Sequence, residues 1–279
     1  MIGLGSQYLT AAGFGRYRIT AASLGNLDLL GSIGWLNGAA KAAILAAFGD
    51  DGKAVINATN VYLGGIAASD RDKATALAGF INEDPMMVCS LGLQPQGVTM
   101  PIRWLVGDGT AYMRFVGTPI NSITKYTLRC SLKYEQSEII GSAGRSCVMQ
   151  WTDHILYTYD TNGYNSNGSY TDLQDAILEY GKAIISINGD SRGSVKSYAS
   201  DSSDLQLFWG GRYGKATNRM ARIEGDESLD LRPCKNPNGN DYGVLNLVNM
   251  QWVGNYAGSG AFGIAYTLPD GTPWTPSTP

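Results

Sequence analysis

The stretch that most constrains the fold is residues 204–262, where short apolar runs alternate with tight turns. Leu205 and Leu207 occupy every second position of the run Leu-Gln-Leu-Phe-Trp, and this period predicts a strand with one largely buried face. Ile223 lies between two charged residues in another such run, so both Leu207 and Ile223 are predicted core positions. Many short strands of this kind predict antiparallel sheets.

Turn signals separate these strands. Pro233 is predicted to end a strand at residues 229–232, because proline has no N–H for a ladder bond. The sequence Asn-Gly-Asn at residues 238–240 predicts a hairpin turn, since Asn and Gly tolerate positive φ. Residues 244–248 and 261–266 are predicted to be the returning and the last strand.

The order of these pieces resembles the concanavalin A-like, laminin-G-type jelly roll of structural proteins from gut bacteriophages and Bacteroidales prophages. That family has a Leu-Phe-Gly-Gly strand, then Gly-Arg-Ile, then Asp-Leu-x-Pro and a long glycine-rich closing motif, after an opening Gly-Thr-Ala-Tyr strand. The corresponding segments here are residues 207–211, 221–223, 230–234, 242–262 and 107–112. The chain departs from the family at Leu245-Asn246, where the family has Tyr-Asp.

The resemblance covers residues 101–266 and implies a jelly-roll β-sandwich there. It also implies a virion structural protein of the capsid-decoration, head-fibre or tail-fibre type, assembled in the host cytoplasm. The expected partners are other virion proteins, further copies of this chain in a homo-oligomer, and glycans of the host surface or of mucus.

Charge and hydropathy narrow the function classes. The net charge is −3 without a basic block, so we expect no nucleic-acid partner. No apolar run is long enough to cross a bilayer, and the first residues lack a basic region followed by an apolar one, so we expect neither a membrane partner nor a secretory signal. The four cysteines form no C-x-x-C pair; buried free thiols are expected, although one disulfide remains open.

Two helices are predicted in the N-terminal part. Residues 37–48 have an apolar stripe at helical spacing, with Asn37 as N-cap and Gly49 as terminator. A second helix is predicted to begin at Ser69 with a Ser69–Asp72 capping box and to stop at Pro85. Its predicted apolar face consists of Ala74, Leu77, Ala78 and Ile81.

The chain is therefore predicted to contain an α+β N-terminal region and an all-β sandwich. Residues 16–20 are read as a short strand, and residues 53–62 as a strand or extended link. The turn-rich sequence Gln-Pro-Gln-Gly places the boundary at residue 97. We expect a small helix-containing attachment domain over 1–97 and a sandwich with a C-terminal tail over 98–279.

One loop has the composition of a binding surface. Residues 158–170 combine Tyr with Asn, Ser and Gly, a mixture that offers flat aromatic area and adaptable hydrogen bonds. The structural alternative is a solvated hairpin loop. The predicted glycan-binding residues are Tyr159, Asp160, Asn162, Tyr164, Asn165, Asn167 and Tyr170.

No catalytic residue, metal site or cofactor is predicted. The single histidine, His154, lies in an apolar run without a second ligand. Asp160-Thr161-Asn162 offers two oxygen ligands, short of a calcium site. Laminarinase-type glucanases carry Glu-x-Asp-x-x-Glu, but residues 224–229 read Glu-Gly-Asp-Glu-Ser-Leu, so the third carboxylate is missing. A carbohydrate-active enzyme or a free-standing lectin is the alternative to a virion structural protein.

Overall fold

The structure is a computed structural model with a small helical region followed by large antiparallel sheets. It describes residues 17–19, 35–132, 137–143, 147–152, 155–160, 163–169, 173–181, 185–193, 202–209, 219–256 and 259–267. Two compact units are present: one runs up to Arg103 and includes Tyr266 and Thr267, and the other is Trp104–Ala265. We expected the boundary at residue 97, so the first unit extends a few residues further than that.

Among its described residues, the first unit contains the α-helices α1 (Gly38–Phe48), α2 (Gly52–Gly64) and α3 (Arg71–Glu83). In the same part of the chain, 3₁₀ turns lie at Gly49–Asp51, Ala68–Asp70 and Pro85–Ser90. Strand β1 (Tyr17–Ile19) pairs in parallel with β2 (Leu93–Pro95), so the predicted strand at residues 16–20 is confirmed.

Helix α1 begins and ends as predicted. The side chain of Asn37 accepts a hydrogen bond from the N–H of Ala40 at 2.8 Å, which satisfies one of the free donors of the first turn. Gly49 follows the helix with φ of 59°, a conformation that costs glycine little. Only Ala40 and Ile44 are buried on α1.

Helix α2 contradicts the prediction of a strand or extended link at residues 53–62. The β-branched residues suggested a strand, but Val55, Ile56 and Leu63 recur at helical spacing and are buried. A Cβ on Gly52 would lie 2.7 Å from the Cα of Leu45, so the approach of α2 to α1 requires glycine there. Packing has therefore outweighed intrinsic propensity.

Helix α3 has the predicted buried face of Ala74, Leu77, Ala78 and Ile81 and ends before Pro85. The predicted capping box is wrong: the N-cap is Asp70, without a side-chain cap bond, because a 3₁₀ turn occupies the position of Ser69. Just after the helix, Asp84 forms an ion pair with Arg103 at 2.7 Å, with both side chains buried.

The remaining strands are β3 (Ile102–Gly107), β4 (Met113–Pro119), β5 (Lys125–Leu132), β6 (Ser137–Ser142), β7 (Cys147–Thr152), β8 (Ile155–Asp160), β9 (Gly163–Ser169), β10 (Leu173–Gly181), β11 (Ile185–Ile187), β12 (Asp190–Gly193), β13 (Asp204–Trp209), β14 (Arg219–Gly225), β15 (Leu229–Lys235), β16 (Tyr242–Asn246), β17 (Gln251–Val253) and β18 (Phe262–Thr267). One sheet has the order β12-β11-β10-β5-β14-β15-β16-β17, with β3 pairing β14 and β18. The other has the order β4-β13-β6-β7-β8-β9.

The core contains residues from both sheets, which is the arrangement of a β-sandwich. On β5 burial alternates along the strand, and Tyr126, Leu128, Cys130 and Leu132 are all buried. Leu207 on β13 and Ile223 on β14 are both 0% exposed, as predicted.

In the sandwich, one strand end was predicted wrongly and one strand was missed. Strand β15 does not end at Pro233 but continues to Lys235, and Pro233 pairs with Val244 of β16. Strand β15 pairs with β14 only at residues 229–231. Pro233 therefore has a partner strand on one side, β16, and its missing N–H leaves no ladder bond to β14 unmade. Strand β10 was not predicted at all, although it is nine residues long.

Candidate functional site

The residues predicted to bind glycans lie mainly on two paired strands rather than on a loop. Strands β8 and β9 form a hairpin, and β9 is the last strand of the six-stranded sheet. Asn162 and Tyr170 fall outside the residues that the structure describes, as do His154 and Thr161.

The strand register divides the predicted set between two faces. Tyr159 pairs with Tyr164, so these positions share one face of the hairpin. Asp160 pairs with Gly163, and Thr158 with Asn165, on the opposite face. The mixture of aromatic and amide groups in the sequence is therefore sorted by the two-residue period of the strands.

The carboxylates compared with a glucanase motif have structural partners. Glu224 forms an ion pair with Arg222 on β14. Asp226, in the following turn with φ of 44°, accepts hydrogen bonds from the N–H and the hydroxyl of Thr124. Burial raises the pKa of Glu224, and the nearby charge of Asp230 adds to this effect despite the attraction of Arg222.

An ordered charge network covers part of the ten-stranded sheet. The register places Arg129 on β5 opposite Arg222 on β14. The carboxylate of Asp230 on β15 accepts hydrogen bonds from both Arg222 and Arg232. Burial opposes ionisation of Asp230, but its contacts with Arg232 and Arg222 outweigh this and lower its pKa. Arg129 in turn pairs with Asp175. Since each of these cations has an acidic partner, the network does not present a cationic surface.

Asp108 connects the first and last parts of the sandwich unit. Its Oδ1 accepts from the N–H of Thr110 at 2.8 Å, the Thr110 hydroxyl at 2.9 Å and the N–H of Ala111 at 2.9 Å. Its Oδ2 accepts from the N–H of Ala261 at 2.7 Å. Burial opposes ionisation of Asp108, but these four bonds prevail and lower its pKa to about 2.

Gly260 allows this connection. A Cβ at position 260 would lie 2.3 Å from the hydroxyl oxygen of Thr110 and 2.4 Å from the nitrogen of Ala111. The two backbones approach too closely for any side chain, so the glycine next to Ala261 is required by space.

Next to this connection lies a cluster that the sequence did not predict. Arg114 on β4 bonds Asp204 of β13 through Nε and Nη2, both at 2.9 Å, and donates from Nη1 to the hydroxyl of Tyr256 at 3.0 Å. The guanidinium carbon lies 5.0 Å from the centre of the Tyr256 ring. The Tyr112 ring is 5.9 Å from the same ring, tilted by 50°.

Backbone bonds fix this cluster in place. The N–H of Tyr256 donates to the carbonyl of Tyr112 at 2.9 Å. The side-chain oxygen of Asn255 accepts from the N–H of Tyr112, and its nitrogen donates to the carbonyl of Gly260. Two segments 143 residues apart in sequence are thus held side by side.

On β4, Met113 and Phe115 are buried and Arg114 lies between them, so the two-residue period of the strand directs Arg114 away from the core. The partners of Arg114 gave no sequence signal, since Asp204 and Tyr256 come from distant strands and turns. The sequence analysis therefore did not identify this site.

Three of the four cysteines are buried thiols. Cys89, Cys130 and Cys234 form no disulfide and are buried, as predicted, and burial raises the pKa of the Cys89 and Cys130 thiols to about 12. Within the described ranges no group of three His, Cys, Asp or Glu residues is placed to hold a metal ion.

Comparisons with models of protein families, with curated proteins and with solved structures returned no match. No helix among the described residues is long and apolar enough to span a bilayer.

Proposed function

We propose that this chain is a structural protein of a bacteriophage virion, of the capsid-decoration, head-fibre or tail-fibre type. The helix-containing part attaches to the particle, and the sandwich, a concanavalin A-like jelly roll, faces outward. The partners are other virion proteins and further copies of this chain.

The observation that carries the proposal is the division into a helical unit and a separate antiparallel sandwich. An attached display module needs one part that joins a particle and another that folds around its own core. The core of Trp104–Ala265 draws on both sheets, which supports the second requirement. The order of the short sequence motifs, which resembles that of the phage family, supports the assignment to a virion.

The contacts of the acidic residues favour a structural role over the alternative of a carbohydrate-active enzyme. A retaining glycosidase needs two carboxyl groups that face one substrate. Here Glu224 pairs with Arg222, while Asp226 bonds Thr124 in the turn. These groups hold the strands and the turn together, so the nearest match to a catalytic motif already has partners.

Contact with glycans is a second part of the proposal. The β8–β9 hairpin carries Tyr159 and Tyr164 on one face, at the edge of a sheet. Two tyrosines at such paired positions would bind a sugar weakly, with a dissociation constant of roughly 1 mM per site. Several copies on one particle raise the avidity by about a hundredfold or more, which makes the homo-oligomer part of the function.

The direct test is to locate the protein on particles. Antibodies against the sandwich are used for immunogold labelling of phage from a producing culture, and light scattering gives the oligomeric state of the purified full chain. We expect regular labelling of heads or tails and a multimer in solution. A monomer found only in the particle-free fraction would contradict the proposal.

A further inference from the structure

We propose that Asn238 is a site of spontaneous covalent modification, at which the side-chain amide is lost as ammonia after attack by the backbone nitrogen of Gly239. This inference goes beyond the proposed function and does not depend on it. Glycine after asparagine favours the reaction, because it has no Cβ to obstruct the approach of its nitrogen to the asparagine side chain. The sequence contains five Asn-Gly pairs, which begin at Asn37, Asn162, Asn167, Asn188 and Asn238.

The reaction needs only water as a second reactant. The backbone nitrogen of Gly239 gives up its proton and attacks the side-chain carbon Cγ of Asn238. A bond between this nitrogen and Cγ forms, the bond between Cγ and Nδ2 breaks, and Nδ2 leaves with the proton as ammonia. Water then opens the resulting succinimide ring at one of its two carbonyls, which leaves either an aspartate or an isoaspartate at position 238. No atom is oxidised or reduced in either step.

Solvent exposure does not distinguish the Asn-Gly pairs whose asparagine side chains the structure describes. Asn37, Asn188 and Asn238 are all exposed, so water and hydroxide reach each of them. Asn162 and the side chain of Asn167 fall outside what the structure describes. The comparison is therefore among Asn37, Asn188 and Asn238, and the hydrogen bonds of their side chains decide it.

The side chains of Asn37 and Asn188 are held by hydrogen bonds. The Oδ1 of Asn37 accepts from the N–H of Ala40 at 2.8 Å, and the N–H of Asn37 donates to the Oδ1 of Asn82 at 2.9 Å. The Oδ1 of Asn188 accepts from the N–H of Ile177 at 2.8 Å, and the N–H of Asn188 donates to the carbonyl of Ile177, also at 2.8 Å. Turning either side chain toward the next backbone nitrogen breaks the bond at its Oδ1, which adds to the barrier for attack.

The side chain of Asn238 has no such restraint. Among the described residues, none is hydrogen-bonded to this side chain, although the backbone N–H of Asn238 donates to the Oδ1 of Asn236 at 2.9 Å. The attacking group is also weakly held, since the N–H of Gly239 donates to the carbonyl of Asn236 at 3.3 Å, longer than such bonds usually are. Asn238 therefore combines a side chain that can rotate with a neighbouring nitrogen that is easily released.

The turn itself is closed by other residues. The Nδ2 of Asn236 donates to the Oδ1 of Asp241 at 3.0 Å, and the N–H of Asn236 donates to the carbonyl of Asp241 at 2.8 Å. Neither bond uses the side chain of Asn238, so its rotation leaves both intact. The product adds one negative charge to a chain whose net charge is −3, so a more acidic form of the protein accumulates with time.

The test incubates the full chain in mildly alkaline buffer, once folded and once unfolded in urea. Tryptic peptides taken at intervals are fragmented in a mass spectrometer to locate each amide that has become a carboxyl group. In the folded chain we expect Asn238 to react about tenfold or more faster than Asn37 and Asn188, because a hydrogen bond that must first break slows attack by roughly that factor. In urea the three rates should converge, since the hydrogen bonds are lost; the unfolded chain is the matched control.

Each outcome decides one part of the inference. Isoaspartate at position 238 supports the ring mechanism, because direct hydrolysis of the amide gives aspartate alone; a product that is aspartate alone would overturn that mechanism. Equal rates at the three asparagines of the folded chain, or a slower rate at Asn238, would refute the selection by structure. A spread of rates in urea as wide as in the folded chain would assign the difference to the neighbouring sequence and overturn the role of the hydrogen bonds.

Discussion

Replacing Asp108 by asparagine tests how the opening and closing segments of the sandwich are joined. The carboxylate of Asp108 accepts bonds from Thr110 and Ala111 through Oδ1, and from Ala261 through Oδ2. In Asp108→Asn the one remaining side-chain oxygen must accept hydrogen bonds from the three donors of residues 110–111. The amide nitrogen then faces the N–H of Ala261, so a hydrogen bond becomes a contact between two donors.

The expected loss of stability follows from the hydrogen bonds that Asp108→Asn changes. A hydrogen bond to an ionised acceptor contributes about 1.5–3 kcal/mol when it is shielded from water. Asp108 is largely exposed, so solvent screening reduces this, and we expect Asp108→Asn to lower the free energy of unfolding by about 1–2 kcal/mol. For a unit the size of Trp104–Ala265, this corresponds to a melting temperature lower by roughly 2–8 °C.

The pH dependence identifies the charge as the cause. The pKa of Asp108 is lowered from 3.8 to about 2 in the folded chain. Its ionised form therefore stabilises the fold above the unfolded pKa, and this contribution is lost as the pH falls through the folded pKa. The difference in stability between wild type and Asp108→Asn should be full at pH 7 and should shrink between about pH 4 and pH 2.

Urea unfolding, followed by tryptophan fluorescence at a series of pH values, measures this difference. Glu227→Gln, in the exposed turn after β14, is the control for removing one negative charge without these bonds. A difference between wild type and Asp108→Asn that stays the same from pH 7 to pH 2 would refute the role of the carboxylate charge. An effect of Glu227→Gln as large as that of Asp108→Asn would do the same.

Three further substitutions test the packing. Gly260→Ala should destabilise the fold by about 1–3 kcal/mol or more in urea unfolding, because its Cβ would clash with neighbouring backbone. Gly263→Ala, with nothing within 4 Å, should be nearly neutral, and equal effects would contradict the argument. Leu207→Ala should cost on the order of 2–5 kcal/mol through a core cavity, and a loss below about 1 kcal/mol would be inconsistent with its burial. Asp84→Ala leaves Arg103 as an uncompensated buried charge and should cost about 3–5 kcal/mol, measured by far-UV circular dichroism; an unchanged helix transition would argue against the ion pair.

The sequence by itself determined the features that depend on neighbouring residues. The ends of helix α1 could be predicted from Asn37 and Gly49. An N-cap hydrogen bond spans only three residues, and a terminating glycine acts within one turn. The buried positions Leu207 and Ile223 could be read from the two-residue period, which is a property of any strand. Predictions of this kind use only local geometry.

Tertiary packing decided where local signals conflicted. Residues 53–62 contain β-branched side chains, yet they form helix α2, since Val55 and Leu63 are buried and Gly52 permits a close approach to α1. The composition of residues 158–170 suggested one binding loop, but pairing of β8 with β9 places Tyr159 and Asp160 on opposite faces. The amino-acid composition of a segment does not determine how its strands pair or which residues share a face.

The cluster of Arg114, Asp204 and Tyr256 depended on the tertiary structure almost entirely. No short motif in the sequence indicates that Asp204 and Tyr256 meet Arg114. Those contacts follow from the order and register of strands that are distant in sequence, and these are fixed by the combined burial of many side chains rather than by any short motif. A cap or a turn is determined by hydrogen bonds among a few neighbouring residues. A site assembled from distant strands forms only when the folded core fixes the order and register of those strands.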